Sequence, residues 1–183
     1  VNQVSQAAAA MRGHEGTASR LYFDTLSKLL QPEYQFDGRN RRPSLDLFNS
    51  FLNYGYGILY RRVEKALLEA GVHPYAGFHH GLGKKQKAMV FDFIEAYRPW
   101  VDGIVFMLCS RKQATMNHIR KLPSGLTLSN EGKKLLQGAF QNAFEKTQVN
   151  FEGRLLSPVH IIAQEAQRFA DDLMAIWQKV NLV

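Results

Sequence analysis

A single cysteine in 183 residues, Cys109, excludes an internal disulfide and fits a reducing cytoplasm. It follows Val105-Phe106-Met107-Leu108, a setting that reads as a buried, inert thiol. No uncharged apolar run reaches the roughly 18 residues that a membrane-spanning helix needs. Val1 to Ala10 lack the basic stretch and apolar core of a secretion signal. Acidic residues are also scarce: 16 against 23 lysines and arginines leave a net charge of +7 and a pI near 9.6. That imbalance favours an anionic partner, nucleic acid before a membrane. With 45% hydrophobic and 21% charged residues the composition is that of a globular chain, and the length favours one domain over residues 1–183.

No segment keeps strand alternation for long and no internal repeat is visible, so the chain reads as all-α. Val1 to Met11, with four consecutive alanines, forms a helix leading into Arg12-Gly13-His14-Glu15-Gly16. Ala18, Leu21, Tyr22, Leu26, Leu29 and Leu30 then recur at helical spacing until Pro32. Residues 31–43, with Arg39, Arg41 and Arg42, read as an exposed basic loop. A long helix is predicted from Ser44 to Ala70, its aromatic residues reading as core, with Gly71 as C-cap and Pro74 beyond. Further helices are predicted over Ala88 to Tyr97, Trp100 to His118, Ser129 (N-cap) to Lys146, and from just after Gly153.

The stretch from Gly77 to Pro99 carries the densest chemistry. A glycine turn holds His79 and His80, a loop holds Lys84, Lys85 and Lys87, and a short helix holds Asp92 and Glu95. The two carboxylates are i and i+3 and share a helix face, roughly 5–6 Å apart at Cβ. Imidazole and carboxylates beside lysines suit a divalent cation working on a phosphate. Taken singly, the same residues read as a surface histidine pair, a solvated helix face and an ordinary lysine loop, and Glu15 as a first-turn acid.

Taken together, the motifs resemble a family. Gly13-His14-Glu15-Gly16 with Ala18 and Tyr22-Phe23 resembles the G-x-E-G-x-A-x-x-x-Y-F signature of the CRISPR-associated integrase, the catalytic subunit of spacer acquisition. Asn53-Tyr54-Gly55-Tyr56, with Tyr60, Val63, Ala66 and Leu67, is similar to its central helix. Residues 71–80 resemble its G-L-D-P-x-x-G-F-L-H segment, residues 91–99 its F-D-L-M-E-x-F-R-P segment, and residues 126–134 a later L-T-x-E-G-like run. The order is the family's, and the resemblance spans residues 11–178.

The resemblance implies an α-helical catalytic domain of a metal-dependent DNA endonuclease and integrase, inserting spacers into a CRISPR array in antiviral defence. Glu15, His80 and Glu95 would be the catalytic metal ligands, with Asp92 as an auxiliary carboxylate and Mg²⁺ or Mn²⁺ as the cation. His80 is preferred over His79 because it occupies the motif's histidine. His73 departs from the motif's aspartate. The family's N-terminal β-rich domain has no counterpart here and Val1 is not methionine, so the reading expects the C-terminal part of a longer polypeptide. Lys84, Lys85, Lys87, Arg41, Arg42, Arg61 and Arg62 would contact the DNA backbone, and Arg39, Arg111, Lys112, Arg120 and Lys121 could extend that track. Implied partners are DNA, a second copy, the small non-catalytic adaptation subunit and, in some members, a fused or associated reverse transcriptase. The competing readings are a non-catalytic helical DNA-binding or assembly subunit and a transposon-borne integrase with a different target.

Overall fold

The computed structural model describes residues 2–75, 77 and 87–181, with side chains for residues 13–75, 77 and 87–180. Six α-helices carry most of this length: α1 (Asn2–Leu29), α2 (Leu47–Glu69), α3 (Ala88–Ile94), α4 (Arg98–Ser110), α5 (Asn130–Gln141) and α6 (Pro158–Asn181). Two antiparallel hairpins interrupt them, β1 (Ile119–Leu122) with β2 (Gly125–Leu128), and β3 (Val149–Phe151) with β4 (Arg154–Leu156). The all-α expectation is therefore corrected to a mainly helical chain with two small sheets. Strands of three and four residues are too short to register as an alternating pattern. The β3–β4 turn is nonetheless written locally. Glu152 and Gly153 both have positive φ, as a two-residue hairpin turn requires, and the Gly153 amide donates to Asn150 Oδ1 at 3.0 Å.

Helix ends follow the side chains that satisfy them. Asp46 caps α2 by accepting the Asn49 amide at 2.7 Å. Gly71, at φ +78°, ends α2 with the Gly71 amide bonded to Leu68 and the Val72 amide to Leu67. Lys112, at φ +55°, ends α4 in the same way, so the helix predicted to reach His118 stops at Ser110. Ser129 caps α5, its Oγ accepting the Gly132 amide at 3.2 Å. A Cβ on Gly132 would stand 2.3 Å from the His118 carbonyl, so only glycine admits this approach. The two predicted N-terminal helices are one helix. It runs through Gly13 and Gly16, whose combined cost of about 2 kcal/mol is insufficient to break an alanine-rich run.

The chain forms two compact units, residues 1–55 with 102–137, and residues 56–101 with 138–183. The first is built on an aromatic core in which Phe36 stacks on Phe48 at 4.3 Å and meets Phe23 at 6.5 Å. Phe51, Leu52, Val105, Cys109 and Leu136 are fully buried. The Tyr34 hydroxyl donates to the Ala114 carbonyl at 2.7 Å, and Ser27 exchanges two hydrogen bonds with the Phe36 backbone. The second unit is centred on Leu59, Val63, Leu67, Val90, Val101, Phe144, Ile161 and Ile162. Phe140 stacks on Phe144 at 4.0 Å, and Trp100 meets Phe144 edge-on at 5.7 Å. Among the described residues no helix is long and apolar enough to cross a membrane.

A buried polar network fixes the loop before α2. Arg39 donates to Asn49 Oδ1 at 2.8 Å and to Asn53 Oδ1 at 2.6 Å. Asn49, wholly buried, also accepts the Asn40 amide and donates to the Gly38 carbonyl and to Asp46. Asn53 donates to the Arg41 carbonyl at 2.8 Å and to Ser44 Oγ at 2.5 Å. Asn49→Ala removes an acceptor from a half-buried guanidinium and strands two backbone groups, and is expected to lower the unfolding free energy by about 3 kcal/mol in urea melts. A loss below about 1 kcal/mol would mean that the loop is held by something else. Burial pushes the Cys109 thiol up to about 12, with Asp46 adding to the shift. Cys109 is accordingly expected to resist iodoacetamide at pH 8 in the native protein and to react once urea unfolds it; labelling at the rate of free cysteine would overturn this.

Candidate functional site

Glu15 stands on the exposed surface of α1, in the first unit. It is not at a helix start, as its glycine-flanked setting suggests in the sequence, but in the middle of a 28-residue helix. Neighbouring amides are spent on the helix ladder and contribute nothing to anion binding there.

Asp92 and Glu95 belong to the second unit. Asp92 lies on α3, half-buried, and Glu95 opens the single 3₁₀ turn Glu95–Tyr97 that joins α3 to α4. The sequence leaves Arg98 undecided between Glu95 and DNA; the structure pairs it with Glu95. Arg98 Nη1 donates to Glu95 Oε2 at 2.8 Å and lies 2.7 Å from Oε1 in an ion pair. The same guanidinium lies 5.2 Å from the centre of the Tyr56 ring. A charge-assisted bond and a close ion pair, on an arginine itself held against an aromatic face, restrain the direction of the carboxylate. Gly77 comes close to this group: a Cβ there would be 2.5 Å from Ala88 Cβ and 2.8 Å from Asp92 Oδ2. The Gly77 backbone and the Asp92 carboxylate thus approach in a way that no other residue would permit.

Asp92 and Glu95 supply hard oxygen donors of the kind that Mg²⁺ and Mn²⁺ take. Among the described residues no group of three His, Cys, Asp or Glu side chains gathers for a metal. His79 and His80, and with them Lys84 and Lys85, lie outside the described residues.

The remaining basic candidates divide by their partners. Lys87 is ion-paired with Glu64, and Arg62 with Glu145. The Arg62 contact is the main cause that holds the Glu145 carboxyl below its usual range. Lys112 pairs with Glu33 at 3.3 Å. Arg39 is turned inward to the asparagines of α2, which removes it from the exposed track that the sequence suggests. Arg61 is exposed, and so are Arg41 and Arg42, which border a cavity of about 610 Å³ in the first unit.

Sequence reasoning did not single out Asp46, Asn49 or Tyr54. A signal was there for the first two: Asp46 and Asn49 have N-cap to N3 spacing, and Asn49 and Asn53 are polar residues at i and i+4 on an otherwise apolar helix face. A second unforeseen pair is Tyr22, whose hydroxyl donates to the buried Asp102 at 3.0 Å. Burial, then the Asp102 charge, raises the Tyr22 phenol above its ordinary range.

Comparison with known proteins places these residues in a family. The model for CRISPR associated protein Cas1 matches residues 2–142. The "CRISPR-associated endonuclease Cas1 1" of Thermus thermophilus is 41% identical over 132 residues, covering 72% of this chain and 42% of that protein. Among solved structures, "Casposase bound to integration product" matches with a TM-score of 0.85 at 25% identity, over 92% of this chain and 48% of that one. The "Cas6-RT-Cas1--Cas2 complex" matches with a TM-score of 0.80 at 26% identity, over 92% of this chain and 18% of that one. The chain spans less than half the length of the curated relatives it matches, and it belongs to the Cas1 family of CRISPR-associated proteins.

Proposed function

We propose that the chain carries catalytic residues of a metal-dependent DNA endonuclease and integrase that joins new spacers into a CRISPR array. The observation that carries this reading is the ordered run of family motifs, from Gly13-His14-Glu15-Gly16 to the Arg98-Pro99 segment, within the matched residues 2–142. Glu15, His80 and Glu95 would hold Mg²⁺ or Mn²⁺, with Asp92 as an auxiliary carboxylate. When bound, the cation supplies positive charge to the phosphate and to the oxygens that attack and leave.

The reaction is a phosphoryl transfer. A 3′-hydroxyl oxygen bonds to phosphorus, the original phosphodiester P–O bond breaks, and the proton of the attacking hydroxyl leaves as the departing oxygen gains one. Arg98 acts as a positioning residue, its hydrogen bond and ion pair with Glu95 keeping the carboxylate from rotating away. Lys84, Lys85, Arg41, Arg42 and Arg61 neutralise backbone phosphates without reading sequence. Lys87 and Arg62 do so while exchanging their carboxylate partners, Glu64 and Glu145, for phosphate.

The partners we propose are DNA, a second copy, the small non-catalytic adaptation subunit and an associated reverse transcriptase. A neighbour whose name joins Cas1 to Cas2 and to an RT supports the last two. The casposase neighbour, with its TM-score of 0.85, favours one second reading, the same chemistry on a transposon's target. Preference for a CRISPR repeat over an unrelated duplex as target decides between them.

In the full-length protein, joining of a 3′-hydroxyl strand to duplex or branched DNA is expected in Mn²⁺ and not in EDTA. Glu95→Ala and His80→Ala are each expected to lower it on the order of 100-fold or more. Arg98→Ala is expected to raise the Mn²⁺ concentration for half-maximal joining about tenfold, with Arg98→Lys recovering part of the loss. Joining that survives EDTA or Glu95→Ala sinks the proposal, and joining that survives His80→Ala moves the ligand to His79. DNA binding without any joining hands the chain to the non-catalytic assembly reading.

A further inference from the structure

The part of α1 that carries Glu15 is held differently from the rest of that helix. Residues 13–22 are all exposed, and burial in α1 begins at Phe23 and recurs at Ser27. Gly13 and Gly16 bracket Glu15, and a Cβ added at either glycine would meet nothing within 4 Å. Glycines in an exposed helical segment lower its resistance to bending and fraying. The direction of this segment therefore depends on how its buried end is fastened.

Tyr22 is the last residue of the exposed segment, and its hydroxyl donates to Asp102 Oδ2 at 3.0 Å. Both residues belong to the first unit, as Glu15 does. Seven residues, nearly two turns, separate Glu15 from Tyr22, so the two share a helix face about 10 Å apart along the axis. The Tyr22 ring meets Phe23 edge-on at 5.1 Å, and Phe23 in turn meets Phe36 in the aromatic core. Asp102 is only 4% exposed, on a helix whose other buried residues include Val101, Val105, Leu108 and Cys109. A carboxylate in such a place is costly unless its oxygens are hydrogen-bonded. Packing alone would favour an apolar side chain there. The carboxylate is accounted for by what it binds, and Tyr22 is one of its partners. Burial, then the Asp102 charge, raises the Tyr22 phenol, so the hydroxyl keeps its proton and remains a donor at neutral pH.

We propose that Tyr22 is a positioning residue for Glu15: anchored on Asp102, it sets the direction in which the glycine-bracketed part of α1 presents that carboxylate. The inference rests on the reading of Glu15 as a ligand of the divalent cation, and adds to it the contact that puts the ligand in place. A hydrogen bond to a charged acceptor is strong enough to hold a helix end in one orientation. Tyr22 acts through the helix, and not on the cation or the phosphate.

The test compares wild type with Tyr22→Phe and Asp102→Asn in the full-length protein. Tyr22→Phe keeps the ring and its contact with Phe23 and removes only the hydroxyl. By hydrogen exchange in the metal-free protein, the amides of residues 13–22 are expected to exchange about tenfold faster in Tyr22→Phe, and those of residues 23–30 at the wild-type rate. Mn²⁺ binding measured by calorimetry is expected to weaken about tenfold, and the Mn²⁺ concentration for half-maximal joining to rise by about the same factor. The rate at saturating Mn²⁺ is expected to change little. A loss of folded protein would instead lower the rate at every Mn²⁺ concentration and leave the half-maximal concentration where it was. Adding Tyr22→Phe to Asp102→Asn is expected to speed exchange less than Tyr22→Phe does alone, because the charged acceptor is already gone. Where Asp102→Asn does not fold, the Tyr22→Phe result decides. In a protein that joins DNA, unchanged exchange over residues 13–22, or faster exchange with unchanged Mn²⁺ binding, would overturn the positioning role alone. A wild type that binds no Mn²⁺ and joins no DNA would overturn the metal-dependent reading and the role built on it together.

Discussion

The loop before α2 depends on one guanidinium folded onto the helix that follows it. Arg39 sits in a segment that charge alone would put in solvent, yet it donates to Asn49 and Asn53, one turn apart on α2. Arg39 is half-buried, and its donors are met by the amide oxygens of Asn49 and Asn53 and by the Asn40 carbonyl. The asparagine amide nitrogens are thereby left to hold backbone: Asn49 the Gly38 carbonyl, and Asn53 the Arg41 carbonyl. Asp46 closes the circuit by capping α2 and accepting from both Asn40 and Asn49. A basic loop that would otherwise be mobile is therefore fixed over its length, and Arg41 and Arg42 are presented at defined places on it.

This division of labour explains why net charge is a poor guide to which cations face a ligand. A surplus of seven positive charges suggests a uniform basic track. The structure instead engages a number of them: Arg62 with Glu145, Lys87 with Glu64, Lys112 with Glu33, and Arg168 with Glu152 at 2.7 Å. Exposed pairs of this kind add little to stability, in the region of 0–1 kcal/mol. Their larger effect is on the surface field, since each cancels a charge locally and leaves the potential concentrated at residues such as Arg41, Arg42 and Arg61.

Legibility in the sequence followed the length scale of the signal. The helices with long apolar stripes or explicit ends were readable: α2 with Gly71 beyond it, and α5 with Ser129 at its cap. In that cap, hydrogen bonds from the backbone amide of Glu131 and from Ser129 hold the Glu131 carboxyl below its usual range. Signals confined to three or four residues were not readable. The hairpins are one case, and the end of α4 another, because a lysine at φ +55° carries no glycine to announce it. Gly13 and Gly16 misled in the opposite direction, marking a break where α1 continues. Of the acidic residues singled out, Asp92 and Glu95 were placed on one short helical stretch by spacing alone, and the stretch is there, although its last turn tightens to 3₁₀ at Glu95. What spacing could not supply was the arginine on Glu95, since Arg98 fits i+3 pairing and solvent equally well until Tyr56 is known to lie beneath it.

Tyr54 shows why a motif and its purpose can part company. It stands beside Asn53 in a stretch that resembles the family's central helix, and the reading of that helix's aromatic residues as core includes it with Phe48 and Phe51, next to Leu52. Those three are buried, whereas Tyr54 falls on the helix flank next to the asparagine that carries the basic loop. One helical turn thus delivers two different groups to the lining of the same cavity: an amide that fixes the loop backbone, and a ring whose hydroxyl accepts from Gln137. Because Tyr54 is on a helix and Arg41 and Arg42 are on the loop before it, the spacing between ring and cations depends on the hydrogen bonds by which Asn53 holds the Arg41 carbonyl and Ser44 Oγ.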